Sequence, residues 1–188
     1  MLPALALAAC ALLWPVAGPA AAGEPAMTAL PPEPEDYRFE PYRTPTPATL
    51  AGAEVLAPEA AAALWREGAA VFIDVLPRPP RPAGLPAGTV WRELRHESIP
   101  GAHWLPNVGF GALDEATATY FAHGLAALTK GNPQARIVIF CLKDCWMSWN
   151  AAKRALALGY VRVAWFPEGV DGWTAAGLPL EPATPWRL

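Results

Sequence analysis

Residues 137–150 read IVIFCLKDCWMSWN, and this stretch decides the fold. Four apolar residues run into Cys141 without polar alternation, the pattern of a strand buried on both faces. Cys145 and Trp146 follow after a short polar link, and then an alanine-rich segment predicts a helix over 148–158 closed by Gly159. A buried strand therefore delivers one cysteine to its carboxyl end, a loop carries a second, and a helix starts at once. The positive end of a helix favours a thiolate. Cys141 and Cys145 are the expected functional centre.

Outward from this stretch, strand and helix patterns alternate. A short strand near 54–56 precedes a helix over 58–66, with Pro58 in its first turn and Gly68 as its stop. AVFIDV at 70–75 reads as a buried strand ending near Asp74, and 77–100 as a long Pro/Gly-rich loop of the kind that carries function. A brief strand at 103–105, one or two helices within 114–128, a strand at 162–166 and a short helix at 173–176 complete the series. The alternation predicts an α/β fold: three layers, with a central, mostly parallel sheet and helices on both faces. Sites in such sheets form beyond the carboxyl ends of strands. Asp74 and Cys141 both fall there.

The chain has 188 residues and a formal net charge of −3, enough for one domain with a core. It has no basic block and no Lys/Arg-rich helix face, which argues against nucleic acid as a partner. Nine tryptophans without that charge pattern belong to core or cleft walls. Residues 1–22 are predicted to be a signal peptide: no charged side chain, an apolar centre, and small residues at Ala20, Ala21 and Ala22. Pro15 and Pro19 interrupt the run of about 20 apolar residues that a membrane span needs, so no stable span is expected after cleavage. Residues 23–48 read as a proline-rich, extended arm that wraps the domain through Tyr37, Phe39 and Tyr42 or stays mobile, and 49–188 as the folded domain. Export implies a periplasmic location. Removal of the signal takes Cys10 with it and leaves Cys141 and Cys145 as a pair in an oxidising compartment.

The spacing of that pair leaves three chemistries open. A disulfide closing a loop of about five residues adds only on the order of 2 kcal/mol in the entropy model, which favours redox or sulfur-transfer use over bracing. A purely structural disulfide is the second reading. Ligation is the third, as a redox cofactor or Cu(I) held by the two thiolates of Cys141 and Cys145. The spacing fits neither C-x-x-C-H haem attachment nor C-x-x-C redox motifs, and no metal site is predicted.

Three segments resemble a rhodanese-like domain: FIDV at 72–75, SIPGAHWLP at 98–106, and the cysteine strand with its helix, continuing into EGVDGWTAAGLP at 168–179. The resemblance spans roughly residues 50–181 and implies that Cys141 is the nucleophile or sulfur carrier. The glycine and arginine that rhodanese loops place three and five residues after the cysteine are here Asp144 and Trp146, Cys145 is added, and Ser98 stands where a histidine is usual. An exported C-x3-C-W variant is similar to the PQQ-dependent catabolism-associated CXXCW motif proteins. That resemblance implies a periplasmic partner from a PQQ-linked alcohol-oxidation system, or a small sulfur or thiol substrate. On this reading Cys145 resolves Cys141 as a disulfide, and Lys143 with the helix N-terminus stabilises the thiolate or binds an anion. Asp144 adds a repelling charge, while Trp146 shields the sulfurs from water. Asp74 orients loop amides or accepts a proton, and His96 reaches the cleft from the long loop. The rival class is a non-catalytic binding module or a cofactor- or metal-handling accessory protein with a structural disulfide.

Overall fold

The computed structural model describes residues 29–92 and 95–187. The predicted signal peptide and the first residues of the arm lie outside the described residues. In chain order the elements are β1 (Glu54–Val55), α1 (Pro58–Arg66), β2 (Val71–Asp74), β3 (His96–Ser98), β4 (His103–Trp104), α2 (Glu115–Leu128), β5 (Ile137–Phe140), α3 (Trp146–Ala157), β6 (Val163–Phe166), α4 (Gly169–Ala175) and β7 (Glu181–Ala183). Among the described residues, no helix is long and apolar enough to cross a membrane.

Five strands form one parallel sheet in the order β1-β6-β5-β2-β4. Because successive side chains point to opposite faces, each central strand feeds two cores. Ile73, Ile137, Ile139 and Trp165 join Phe121 and Leu125 of α2 and Trp149 of α3 on one face. Phe72, Val138, Phe140 and Phe166 meet Ala61 and Leu64 of α1 and Val170 and Trp173 of α4 on the other. The expected three-layer α/β architecture is what these two cores build.

The chain winds from β2 outward to β4, then returns to lay β5 and β6 on the other side of β2. The winding thus reverses between β2 and β5, where open parallel sheets leave a crevice at their carboxyl edge. Register carries Asp74 to that edge opposite Phe140, and the Val75 amide donates to the Phe140 carbonyl at 3.0 Å. Cys141 is the next residue.

Two expectations are corrected. The 77–100 loop ends early, because His96–Ser98 pairs antiparallel with Glu181–Ala183. Strands of three residues, one of them containing Pro182, leave no periodic signal to read. The helix after the cysteines begins at Trp146 rather than at 148, with Cys145 as its N-cap. Trp146 is therefore the first helical residue.

The described part of the arm wraps the domain. Glu33 accepts from the Ala51 amide at 2.8 Å and from the Thr49 hydroxyl, and Lys153 donates to the Pro34 carbonyl at 3.1 Å. Asn150 fixes the middle of the arm: its Oδ1 accepts from the Arg38 amide at 2.9 Å, and its Nδ2 donates to the Arg38 and Gly109 carbonyls at 2.8 and 2.9 Å. One turn on, the Arg154 guanidinium donates to the carbonyls of Val108, Phe110 and Gly111 and lies 4.1 Å from the Tyr37 ring.

Candidate thiol site

Cys141 sits just past the end of β5 with its side chain wholly buried, and Cys145 is 2 % exposed. Both thiols are free. They share a hydrogen bond, and the two sulfurs are unequal. Burial pushes the Cys141 thiol well above its ordinary range, and the neighbouring Cys145 sulfur and Asp74 carboxylate push the same way. Cys145 is brought down to about 7, first by the hydrogen bond from Cys141, with burial opposing. The Met147 and Leu142 amides and the Arg43 guanidinium add to the lowering. Cys145 stands at the N-cap of α3, so the Met147 amide that lowers it belongs to the first turn of that helix.

The backbone around the pair is held from several sides. The Cys141 carbonyl accepts from the Val170 amide at 2.9 Å, and Gly169 runs so close that a Cβ there would lie 2.2 Å from that carbonyl oxygen. With φ at +51°, Gly169 also has a backbone that side-chain-bearing residues rarely adopt. The Lys143 amide donates to Asp171 at 2.9 Å, and Asp144 turns the loop with φ at +53°. The Ser148 hydroxyl donates to the Cys145 carbonyl at 2.9 Å and accepts from the Trp165 indole at 3.0 Å.

The arm lies over this loop. The Trp146 amide donates to the Tyr42 carbonyl at 2.9 Å, Arg43 forms an antiparallel bridge with Cys145, and the Trp146 indole donates to the Thr44 hydroxyl at 3.0 Å. Trp146 is buried, edge-on to Trp149 at 5.6 Å and under the Arg38 guanidinium at 5.4 Å.

Of the residues singled out from sequence, Cys141, Cys145, Trp146 and Asp74 come together. Lys143 does not join them: its ammonium lies 3.3 Å from Glu168 on the exposed side of the loop. The nearby positive charge belongs to Arg43. His96 is drawn from the supposed loop into β3, where its Nε2 sits 2.7 Å from Asp74. The Asp74 carboxylate also takes the Ser98 hydroxyl at 2.6 Å and the Leu76 amide at 2.9 Å. Sequence reading passed over Arg43, Thr44, Ser148 and Asn150, and named Tyr42 only as a contact of the arm. Only Asn150 carried a signal, as an uncharged polar residue inside an apolar helix. Among the described residues no three of His, Cys, Asp or Glu cluster as a metal site. A Cu(I) ion here would have the two sulfurs alone.

The fold and site define a class: a three-layer α/β domain with a buried, hydrogen-bonded thiol pair at the carboxyl edge of a parallel sheet. No family model and no curated protein matches the chain. Among solved structures it is similar to a thiosulfate sulfurtransferase from Pseudomonas aeruginosa, at 24 % identity and a TM-score of 0.47, over 71 % of this chain but 21 % of the other. It is also similar to a rhodanese-like domain from Anabaena, at 14 % identity and 0.45, covering 70 % of this chain and 80 % of that one. A 30 kDa polysulfide-sulfur transferase homodimer from Wolinella succinogenes follows at 21 % identity and 0.43, with 70 % and 80 % coverage. The chain is thus similar in fold to solved rhodanese-like domains, and it spans about a fifth of the Pseudomonas chain.

Proposed function

We propose that the protein is an exported, rhodanese-like thiol protein whose two cysteines exchange with disulfides, and that Cys145 rather than Cys141 makes the first attack. The observation that carries this reading is the asymmetry of the pair. Cys145 stands at a helix N-terminus beside Arg43 and takes a hydrogen bond from Cys141, which is held protonated deeper in the core. In the exchange, the Cys145 thiolate attacks one sulfur of a substrate disulfide, and the other half leaves as a thiolate. Cys141 gives its proton to that leaving thiolate and attacks the Cys145 sulfur, releasing the second half. The substrate disulfide gains two electrons and the pair becomes a disulfide. The loop lacks the arginine of ordinary rhodanese loops, which favours this exchange over thiosulfate cleavage. The partner on this reading is a periplasmic protein of a PQQ-linked oxidation system, which the resemblance of the C-x3-C-W loop to the CXXCW motif group supports.

A second reading rests on burial. With both sulfurs covered by the arm, the domain would serve as a binding module and the pair as a brace. Trapping separates the two. Incubated with a small aromatic disulfide, Cys141→Ser is expected to accumulate a mixed disulfide on Cys145 while Cys145→Ser does not. Trapping in the Cys145→Ser protein alone would restore Cys141 as the attacking group. No trapping in either, with the pair unchanged across graded redox buffers, would leave the binding module.

A further inference from the structure

Cys145 and Trp146 meet the arm through backbone. Trp146 is the first residue of α3, and the first N–H groups of a helix have no acceptor inside it. The acceptor for the Trp146 amide comes from outside, as the Tyr42 carbonyl at 2.9 Å. Every residue carries a carbonyl, so this position selects an extended chain and not a sequence. Pro41 and Pro45 bound the docked segment, and because neither has an N–H the pairing stops at them. A strand of only three residues, Tyr42–Thr44, holds the place.

The register of that strand bears on sulfur chemistry. Arg43 and Cys145 are antiparallel partners, and the hydrogen bond joins the residue before Arg43 to the residue after Cys145. They are therefore a non-hydrogen-bonded pair, the kind whose Cα atoms lie about 4.5 Å apart. The side chains of such a pair stand on one face, and the Arg43 guanidinium is among the groups that lower the Cys145 thiol. A disulfide spans Cα atoms roughly 4.4–6.8 Å apart. A cysteine in the place of Arg43 thus has its sulfur within bonding reach of Cys145, whereas the next residues along the strand point to the other face.

We infer that the exchange partner of Cys145 is an extended polypeptide segment that takes the place of Tyr42–Thr44, with one half of its disulfide at the register of Arg43. The inference rests on the thiol-exchange reading and gives it a substrate class, a disulfide-bearing chain. The bond from the Cys145 sulfur to the nearer partner sulfur forms as the partner's own S–S bond breaks, and the electron pair leaves on the second partner sulfur. Cys141 then releases the bound half as in the exchange above.

Two measurements on the full chain test this. The first sets the register in cis. With Cys141→Ser removing the competing sulfur, Arg43→Cys should cross-link to Cys145 in a glutathione buffer, and Thr44→Cys should do so at least about tenfold less. The second presents the disulfide in trans to the Cys141→Ser protein. One substrate is a neutral peptide whose single cysteine, flanked by tyrosine and threonine, is joined to an aromatic thiol; the other is mercaptoethanol joined to the same thiol. The peptide should form its mixed disulfide on Cys145 at least about tenfold faster, the gain from one backbone hydrogen bond. A peptide that begins at its cysteine lacks the preceding carbonyl and should lose that gain. Equal rates for peptide and mercaptoethanol, an undiminished rate for the shortened peptide, or no Arg43→Cys cross-link would overturn the strand placement and leave thiol exchange standing. No reaction of Cys145 with either disulfide would overturn the exchange reading and this inference with it.

Discussion

The carboxyl edge of the sheet carries two regions closed in different ways. At the end of β5 the sulfurs are buried, with Cys141 at 0 % and Cys145 at 2 % exposure, and the arm, a segment about a hundred residues away in sequence, pairs with the loop at Cys145 and Trp146. At the ends of β2 and β4, Leu76, Trp91 and Trp104 line a cavity of about 350 Å³ bounded by neighbouring chain, and Trp91 is 39 % exposed. One region is bounded by nearby chain and partly exposed, whereas the other is buried where a distant segment docks. Reactivity at the sulfurs is therefore a property of the arm as much as of the loop.

The most forceful way to break this contrast is Asn150→Ala. It strands the Arg38 amide and removes the donor of two carbonyls in a buried spot, at a cost of about 3 kcal/mol. The urea midpoint should fall, and alkylation of Cys145 under native conditions should accelerate by more than the roughly 150-fold that a loss of about 3 kcal/mol in global stability would give. Alkylation no faster than before would mean that the arm is not the cover.

A smaller effect concerns the pair itself. Thiolate absorbance against pH should show a first midpoint near 7, assigned to Cys145. Cys141→Ala removes the hydrogen-bond donor and should move that midpoint up by about one unit, the scale of a single hydrogen bond to a charged sulfur. The signs for stability follow. Cys145 is lowered on folding, so its stabilisation is present above the ordinary thiol pKa and is lost as pH falls toward about 7. Cys141 is raised, so stability is lost as pH climbs beyond the ordinary thiol range. Reduced protein should therefore be most resistant to urea in mildly alkaline buffer. Resistance that falls steadily between neutral pH and that range would contradict the assignment.

The smallest effect sharpens which cation matters. Lys143 pairs with Glu168 in solvent, a contact worth about 0.5 kcal/mol or less. Lys143→Gln should leave both stability and the Cys145 midpoint in place, whereas Arg43→Gln should raise the midpoint. A midpoint that responds to Lys143 and not to Arg43 would return the sequence-based assignment.

These contrasts mark where sequence reading stops. The sheet and its faces were legible because VFID and IVIF are uninterrupted apolar runs bounded by breakers, and parallel strands between two helical layers demand such runs. The thiol pair was legible from spacing alone. Which cysteine is the more acidic was not, because that depends on Arg43 and on the depth of Cys141, both set by tertiary contact. His96 was singled out but misplaced, since β3 and β7 are too short for any period to show. The arm's docking is one of two outcomes open in the sequence, since proline-rich chain has no regular backbone pairing to anticipate. Its anchors, Asn150 and Trp146, belong to the far half of the chain.

The span of those anchors also sets an order of events. Arg38 meets Asn150 across 112 residues, and Thr44 meets Trp146 across 102. The β1–β6 pairing spans a like distance, from Glu54 to Ala164, but the arm docks on a surface that α3 and the sheet must first present, so it closes after them. During folding the two sulfurs are consequently bare while the strand–helix unit around them already exists. Whatever electron pair they gain or lose in that interval is then locked beneath the docked arm. An oxidant pulse given during refolding should convert a larger fraction of the pair to disulfide than the same pulse given after refolding is complete. The arm would then act as a latch on chemical history.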